Sequence, residues 1–328
     1  MPSPVLDAMQ KYRAALDRAN TKEMRDLIGD YGRMYRRLNT QLDALLLEIG
    51  DKPLTTGQLA RMQRYKALMS DTQRELEEYQ ALLSRQTRQA INDGIIYGRV
   101  DAAKLLSVSV TGTDAIYARF NMLHPEAIKT LAGMLADDSP LYARIRKLAP
   151  SAYEAVRQAM IEGIGLGRNP RVIARAVQSA FGEGLTQALR TIRTAQIWAY
   201  REANRATFVA NPEIVTGWVW VASLDDTCCM SCVSQHGTEH PVDEVLDDHY
   251  NGRCAAAPLT IFGNPVEQSG IDWFGAQNAE RQREMMGVGK YDAWKEGKFD
   301  LTQMTQERLD EIYGAMKSEA TLKELLGN

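Results

Sequence analysis

The chain has 328 residues, 45% of them apolar, a mean hydropathy of −0.35 and a formal net charge of −3. That is enough apolar material for two domains, or for one domain with an extended helical arm, and it excludes a minimal scaffold that depends on staples. No apolar run approaches the roughly 20 residues needed to cross a bilayer, and the start, MPSPVLDAMQKYR, lacks a secretory apolar core, so the expectation is a soluble protein, without membrane contact, first present in the cytosol.

Residues 22–49 place apolar side chains at Met24, Ile28, Tyr31, Tyr35, Leu38, Leu42, Leu45 and Ile49, in steps of four and three that make a heptad seam. Gly50-Asp51-Lys52-Pro53 breaks it, and Thr55 with Gln58 can form a capping box that starts the next helix. A second seam follows at Met62, Tyr65, Met69, Leu76, Tyr79 and Leu83, interrupted by Thr72. The two helices should pack as an antiparallel hairpin about 40 Å long, at ~1.5 Å per residue. The same periodicity suits an ordinary bundle core as well as a projecting arm.

Residues 86–210 read as further helix, with breaks near Thr111-Gly112-Thr113, His124-Pro125, Asp137-Asp138-Ser139-Pro140, Ala149-Pro150 and Gly167-Arg168-Asn169-Pro170. After Asn211-Pro212, the β-branched and aromatic run Ile214 to Val221 has strand character, with Trp218 and Trp220 on one face and buried against helices. Residues 266–328 return to helix and end in an amphipathic stretch from Gln306 to Leu326. The predicted fold is mainly α with a small β-containing zinc-knuckle module. It comprises a long N-terminal helical hairpin (residues 1–100), a helical domain (101–212), the β and zinc-knuckle module (213–265) and a helical tail (266–328).

Chemistry concentrates after the strand. Asp225 and Asp226 form a turn into Cys229-Met230-Ser231-Cys232, and His249 through Cys254 follows about twenty residues on. A Cys-x-x-Cys turn sets two thiolates on one side of a metal, and the His/Cys pair completes a tetrahedron with no open position, so Cys229, Cys232, His249 and Cys254 read as ligands of a structural zinc. Reduced thiols packed as small hydrophobes, or disulfides, are the alternatives. His236 or His240 can stand in for His249, and Cys228 for Cys229.

The net charge hides a split. Residues 1–200 carry 28 Lys and Arg against 21 Asp and Glu, whereas residues 201–276 carry 3 against 11. An acidic module whose only cations are Arg201, Arg205 and Arg253 is poorly suited to gripping phosphates, which argues against direct nucleic-acid readout. The sequence holds no P-loop, dinucleotide fingerprint or evident nucleophile motif. A metal-dependent hydrolase or nuclease stays open as an alternative through His236, His240 and His249 and the acids Asp243, Glu244, Asp247 and Asp248. So does an adaptor in a cellular helical assembly.

Across residues 155–300 the chain resembles the phage head morphogenesis family, the Mu F-like minor head proteins. The matching elements are Arg193-Thr194 in a helix, Trp218 to Val221, the Asp226-x-x-Cys229-x-x-Cys232 knuckle, His236-Gly237, and His249 to Cys254. Gly163 to Gly167 with Pro170, Ile173 and Ala174 is similar to the family's upstream break, and Met286-Gly287, Tyr291, Ala293, Trp294 and Gly297-Lys298 to its tail. Two positions depart from the pattern: Ala195 stands where a Glu is frequent, and Gly252 replaces the first cysteine of a Cys-Arg-Cys close. The resemblance implies a non-enzymatic minor capsid protein docking to portal or scaffold proteins. It also implies a place inside the virion head near the portal, with host cytoplasm during assembly, and a part in DNA packaging or delivery with non-specific contact to packaged DNA. The N-terminal helices lie outside the resemblance; their seams allow pairing within one chain or self-association between chains.

Overall fold

The computed structural model describes residues 3–50, 53–110, 121, 124 and 138–327. The breaks read at Asp51-Lys52, Thr111-Gly112-Thr113, Pro125 and Asp137 lie outside these residues. The chain forms two compact units: residues 18–90 with 134–195, here the helical unit, and residues 1–17, 91–133 and 196–328, here the sheet unit. Helices α1 (Pro4–Ile49), α3 (Gln63–Ser109) and α5 (Pro170–Val209) each carry residues of both. The protein is mainly helical with small antiparallel sheets.

In the helical unit, α1 and α3 run antiparallel. Arg37 meets Glu75 (Nε to Oε1, 3.0 Å), Gln41 meets Asp71 (2.8 Å) and Glu48 meets Arg64 (2.9 Å), a constant register along both helices. The short helix α2 (Thr56–Leu59) begins at the expected capping box, with Gln58 N–H donating to Thr55 Oγ1 (3.3 Å) and Thr55 N–H to Gln58 Oε1 (2.9 Å). Tyr31, Leu38, Leu42, Leu45, Leu76 and Leu83 of the two seams are buried, but so are Leu27, Met34 and Leu46, whereas Ile28 is exposed. The apolar stripe is wider than a two-helix seam because α4 (Pro140–Gly165) and α5 cover it. The Tyr31 hydroxyl donates to Phe181 O (2.6 Å), and both Tyr31 and Tyr35 set ring edges against Phe181.

The break expected at Ala149-Pro150 does not occur: α4 runs through Pro150. Proline removes a helical donor, yet the neighbouring Ala149 N–H is satisfied by Gln80 Oε1 (3.2 Å), so the helix is held across the interruption. The break at Gly167 is real. Arg168 N–H reaches Gly163 O (2.9 Å) and Gly167 N–H reaches Ile164 O (3.0 Å), a Schellman close with Gly167 left-handed at φ 61°.

The sheet unit is built on β1 (Val215–Val221), flanked antiparallel by β2 (Glu239–Pro241) and β3 (Ala255–Thr260) in the order β2-β1-β3. Both faces of β1 are covered from Gly217 onward, hence the apolar run Trp218 to Val221. Val219 and Val221 share a core with Val5 and Met9 of α1 and Leu105 of α3, while Trp218 and Trp220, each almost fully buried, share another with Phe208 and Leu106. The knuckle helix α6 (Met230–Gln235) lies between β1 and β2, and β3 is followed by α7 (Gly270–Gly275), α8 (Ala279–Met286) and α9 (Val288–Lys295).

The helical tail expected over 306–326 is corrected by the structure. Residues 305–319 form a β-hairpin, β4 (Thr305–Asp310) and β5 (Gly314–Glu319), and helix resumes only at α10 (Leu322–Leu326). Turn chemistry overrides the amphipathic period here. Asp310 Oδ1 accepts from the N–H groups of Ile312 (2.9 Å) and Tyr313 (3.0 Å), and Gly314 takes φ 72°, which together fold the chain back after three loop residues.

Candidate metal centre

Two short segments of the sheet unit supply the centre. Beyond β1, Asp225 forms the expected turn, accepting from Thr227 N–H (3.0 Å) and binding the Arg253 guanidinium through both oxygens (2.5 and 2.7 Å). Cys229 then caps α6, its Sγ accepting from Cys232 N–H at 3.4 Å. This cap aims two sulfurs to one side. The second segment is the loop between β2 and β3, where Gly252 N–H closes onto His249 O (2.9 Å) and Asn251 is left-handed at φ 57°.

His249 Nε2 lies 3.3 Å from Cys229 Sγ and 3.3 Å from Cys232 Sγ. A tetrahedral zinc with bonds of about 2.3 Å to sulfur and ~2.05 Å to nitrogen spaces such atoms ~3.6 Å apart, so the gap matches a shared ion. Cys254 joins through Cys232: the ligand atoms of Cys229, Cys232 and His249 all lie within 4.8 Å of one another, as do those of Cys232, Asp248 and Cys254. The four residues form a cluster that can hold a metal ion. His249 Nδ1 donates to Tyr250 O (2.8 Å), which orients the ring and aims Nε2 at the sulfurs.

The electrostatics of the cluster favour a cation. Hydrogen bonding from Cys232, against the cost of burial and with help from His249, lowers the Cys229 thiol. Cys232, facing the sulfurs of Cys229 and Cys254 as well as burial, is pushed far up. Burial depresses the His249 imidazole, but the Cys229 sulfur and the Asp248 carboxylate outweigh it and raise its pKa to about 10. Thiolates gathered this closely resist joint ionisation, and a divalent cation relieves that resistance.

Asp248 and Arg201 brace the site, and sequence reasoning assigned neither of them this role. Asp248, fully buried, accepts from His249 N–H (2.9 Å) and Cys254 N–H (3.2 Å), and Cys232 Sγ approaches its Oδ1 at 3.5 Å. Arg201, from α5, donates to Asp248 Oδ2 (2.7 Å), to Gly252 O (3.1 Å) and twice to Cys254 O (2.7 and 3.0 Å). Burial raises the Asp248 pKa, yet Arg201 and His249 prevail and hold it below the usual carboxylate range. A Cβ at position 252 would sit 2.0 Å from Asp248 Oδ2, so only glycine leaves room for this carboxylate. The available signal was scarcity: each of the three cations in 201–276 has an acid partner, Arg201 with Asp248, Arg205 with Glu202 and Arg253 with Asp225.

The C-terminal hairpin supports both segments. Lys317 binds the Asp247 carboxylate (2.7 Å) beside the His249 loop, the Tyr250 hydroxyl donates to Asp310, and Glu319 Oε2 accepts from Met230 N–H (2.9 Å) at the start of α6.

The other candidate residues lie elsewhere. His236 is buried, with Nδ1 accepting from Ala222 N–H (3.0 Å), and burial drops its pKa to about 4. His240 stacks on Trp218 at 4.1 Å and hydrogen-bonds Glu244 (2.9 Å) and Thr238 (2.8 Å). The Cys228 thiol contacts Cys229 O (3.8 Å) in the apolar core, and burial pushes it up to about 12. Neither His236, His240 nor Cys228 belongs to the cluster. The acids of the hydrolase alternative also diverge: Glu244 pairs with His240, Asp247 with Lys317 and Asp248 with Arg201. A cavity of about 560 Å³ beside the knuckle is lined by Arg13, His236, Arg253 and Asp225 and by none of the four cluster residues.

Comparison with family models, curated proteins and solved structures finds no match for this chain.

Proposed function

We propose that the chain is a phage minor head protein whose sheet unit is held in docking-competent form by a structural zinc on Cys229, Cys232, His249 and Cys254. The observation that carries the metal reading is the bracing of the ligand loop. Arg201 engages the Gly252 and Cys254 carbonyls and the buried Asp248 carboxylate, while three sulfurs and an imidazole oriented by Tyr250 O are left to face one another. A donor set of three thiolates and one imidazole suits zinc, and it leaves no coordination position for substrate. Zinc, when bound, supplies charge neutralisation and a cross-link between α6 and the loop before β3.

The rest is done by the chain itself. Arg201 and Asp248 fix the loop, Lys317 and Glu319 tie it to the hairpin, and the turns at the surface are thereby presented in one conformation. The Leu and Tyr seams of α1 and α3 are consumed inside the helical unit, so docking to portal or scaffold, and any self-association through the N-terminal helices, falls to their outward faces. The basic excess of residues 1–200 suits an acidic partner or packaged DNA. The resemblance over residues 155–300 supplies the virion setting.

Two measurements test the reading. Elemental mass spectrometry of the purified full chain should find one zinc per molecule, lost in Cys232→Ser. In phage-producing cells the tagged chain should sediment with portal-containing particles. A metal-free, fully ordered protein would remove the first half, and recovery only at the top of the gradient would remove the second.

A further inference from the structure

We propose that Arg13, on the N-terminal helix, is the counter-charge of the metal centre, so that metal loading and docking of residues 4–17 onto the sheet form one linked equilibrium. The proposal rests on the metal reading above. It concerns a residue some two hundred positions away from the ligands, in a part of the chain that the family resemblance does not cover.

The geometry begins with a stripe. Val5, Met9 and Arg13 are spaced four apart and so share one face of α1. Val5 and Met9 lie in the same core cluster as Val219 and Val221 of β1 and Ala255 and Ala257 of β3. Strand β3 begins directly after Cys254, and Arg13 Nη2 donates to the carbonyl of Arg253, directly before it. The helix therefore grips the chain on both sides of the fourth ligand.

Charge accounting gives this contact its meaning. A divalent ion with three thiolates and a neutral imidazole carries a net charge of about −1. Nearby, Arg201 answers Asp248 and Arg253 answers Asp225. Arg13 is the third cation beside the centre, with Asp17 one turn further along its own helix. Burial lowers the Arg13 pKa; the Cys254 sulfur is the main influence opposing that, Arg201 and Arg253 reinforce the lowering, and Asp17 opposes it less. Without metal, Cys254 is no longer pinned to the other ligands, and the adjacent Arg253 carbonyl that accepts from Arg13 is released with it. Docking of the helix segment then weakens. With metal bound, the same guanidinium stabilises the anionic centre from outside its ligand shell, as partners beyond the ligands commonly do.

The test uses the full chain with zinc and with cobalt as the probe ion. Arg13→Met keeps the aliphatic stem and removes the charge; Arg13→Lys keeps the charge. Chelator competition should show metal affinity falling roughly ten- to a hundredfold in Arg13→Met and largely restored in Arg13→Lys. The cobalt absorption bands should keep their wild-type positions in both variants, because the ligands are unchanged, whereas Cys232→Ser should shift or abolish them. Hydrogen exchange of residues 4–17 in the wild type should speed up on metal removal, by a factor matching the affinity lost in Arg13→Met, since linkage is reciprocal. Wild-type affinity in Arg13→Met, or exchange at 4–17 indifferent to metal, overturns the proposal while leaving the metal reading intact. A wild type that binds no zinc overturns both.

Discussion

Replacing Arg201 with Met isolates the brace on which the ligand loop depends. The Arg201 side chain is 7% exposed and that of Asp248 1%, and the guanidinium makes four hydrogen bonds to Asp248, Gly252 and Cys254. Methionine fills much of the same space but satisfies none of them. The carboxylate is then a buried charge without its cation, a change that costs roughly 3–5 kcal/mol. Asp248 still has the His249 and Cys254 N–H groups, which places the expectation at the lower end, about 3 kcal/mol. A unit of this size moves its Tm by roughly 2–4 °C per kcal/mol, so the melt should fall by about 6–12 °C.

The assay can be confined to the right part of the chain. All five tryptophans, Trp198, Trp218, Trp220, Trp273 and Trp294, belong to the sheet unit, so intrinsic tryptophan emission on heating follows that unit alone. The measurement should be made with chelator present, to separate the brace from metal binding. Adding Asp248→Asn to Arg201→Met removes the stranded charge and should recover a large part of the loss. A single variant that melts within about 2 °C of wild type, or a double variant that melts lower still, would show that the ion pair does not hold the loop.

Gly252→Ala would press a methyl group into Asp248, 2.0 Å from Oδ2, and should cost about 1–3 kcal/mol and weaken metal retention; a wild-type tryptophan melt with full zinc content would contradict the packing argument. His236 is held at about pKa 4 by burial first and the charge of Arg13 second, so its contribution to stability is complete above pH 6.5 and is lost as the pH falls through about 4. That window amounts to about 3 kcal/mol at ~1.36 kcal/mol per pH unit. Burial raises Asp101 to about 6, which acts in the opposite sense, its stabilising share being present below 3.8 and lost as the pH rises through 6. The difference between wild type and His236→Asn is therefore the quantity to follow, in chelator: it should narrow from pH 7 to pH 4, and a constant gap would refute the assignment. Thr72, fully buried among the α1 and α3 seams with no partner for its hydroxyl, should be improved by Thr72→Val, which stabilises the helical unit by about 1–2 kcal/mol in a melt followed by circular dichroism. No gain there would mean that the hydroxyl is satisfied after all.

What the sequence made legible follows from how far each signal reaches along the chain. The Thr55–Gln58 box and the Gly167 close are three- to six-residue devices whose residues act on their own backbone, and both formed as expected. The cluster was readable for a related reason: coordination needs particular side chains at short spacings, and Cys229, Cys232, His249 and Cys254 meet as one group that can hold a metal ion. Periodicity was less reliable because it reports a buried face without saying what buries it. Ile28 fitted a heptad and is exposed, while Leu27 and Met34 lie inside, since two further helices widened the face. Over 306–326 a helical period was outcompeted by Asp310 and Gly314.

The brace was hidden for a different reason. Arg201 and Asp248 lie 47 positions apart and are joined only by opposite charge, so no local pattern announces them. Yet the acidic composition of residues 201–276 carried the clue in its exceptions. Where 3 cations face 11 acids, solubility does not need the cations, and each is held in place by a structural partner. The same logic turns Gly252 from a missing ligand into a requirement. A cysteine there would begin with the Cβ that Asp248 excludes, and the loop keeps the carboxylate that engages Arg201 in preference to a further thiol.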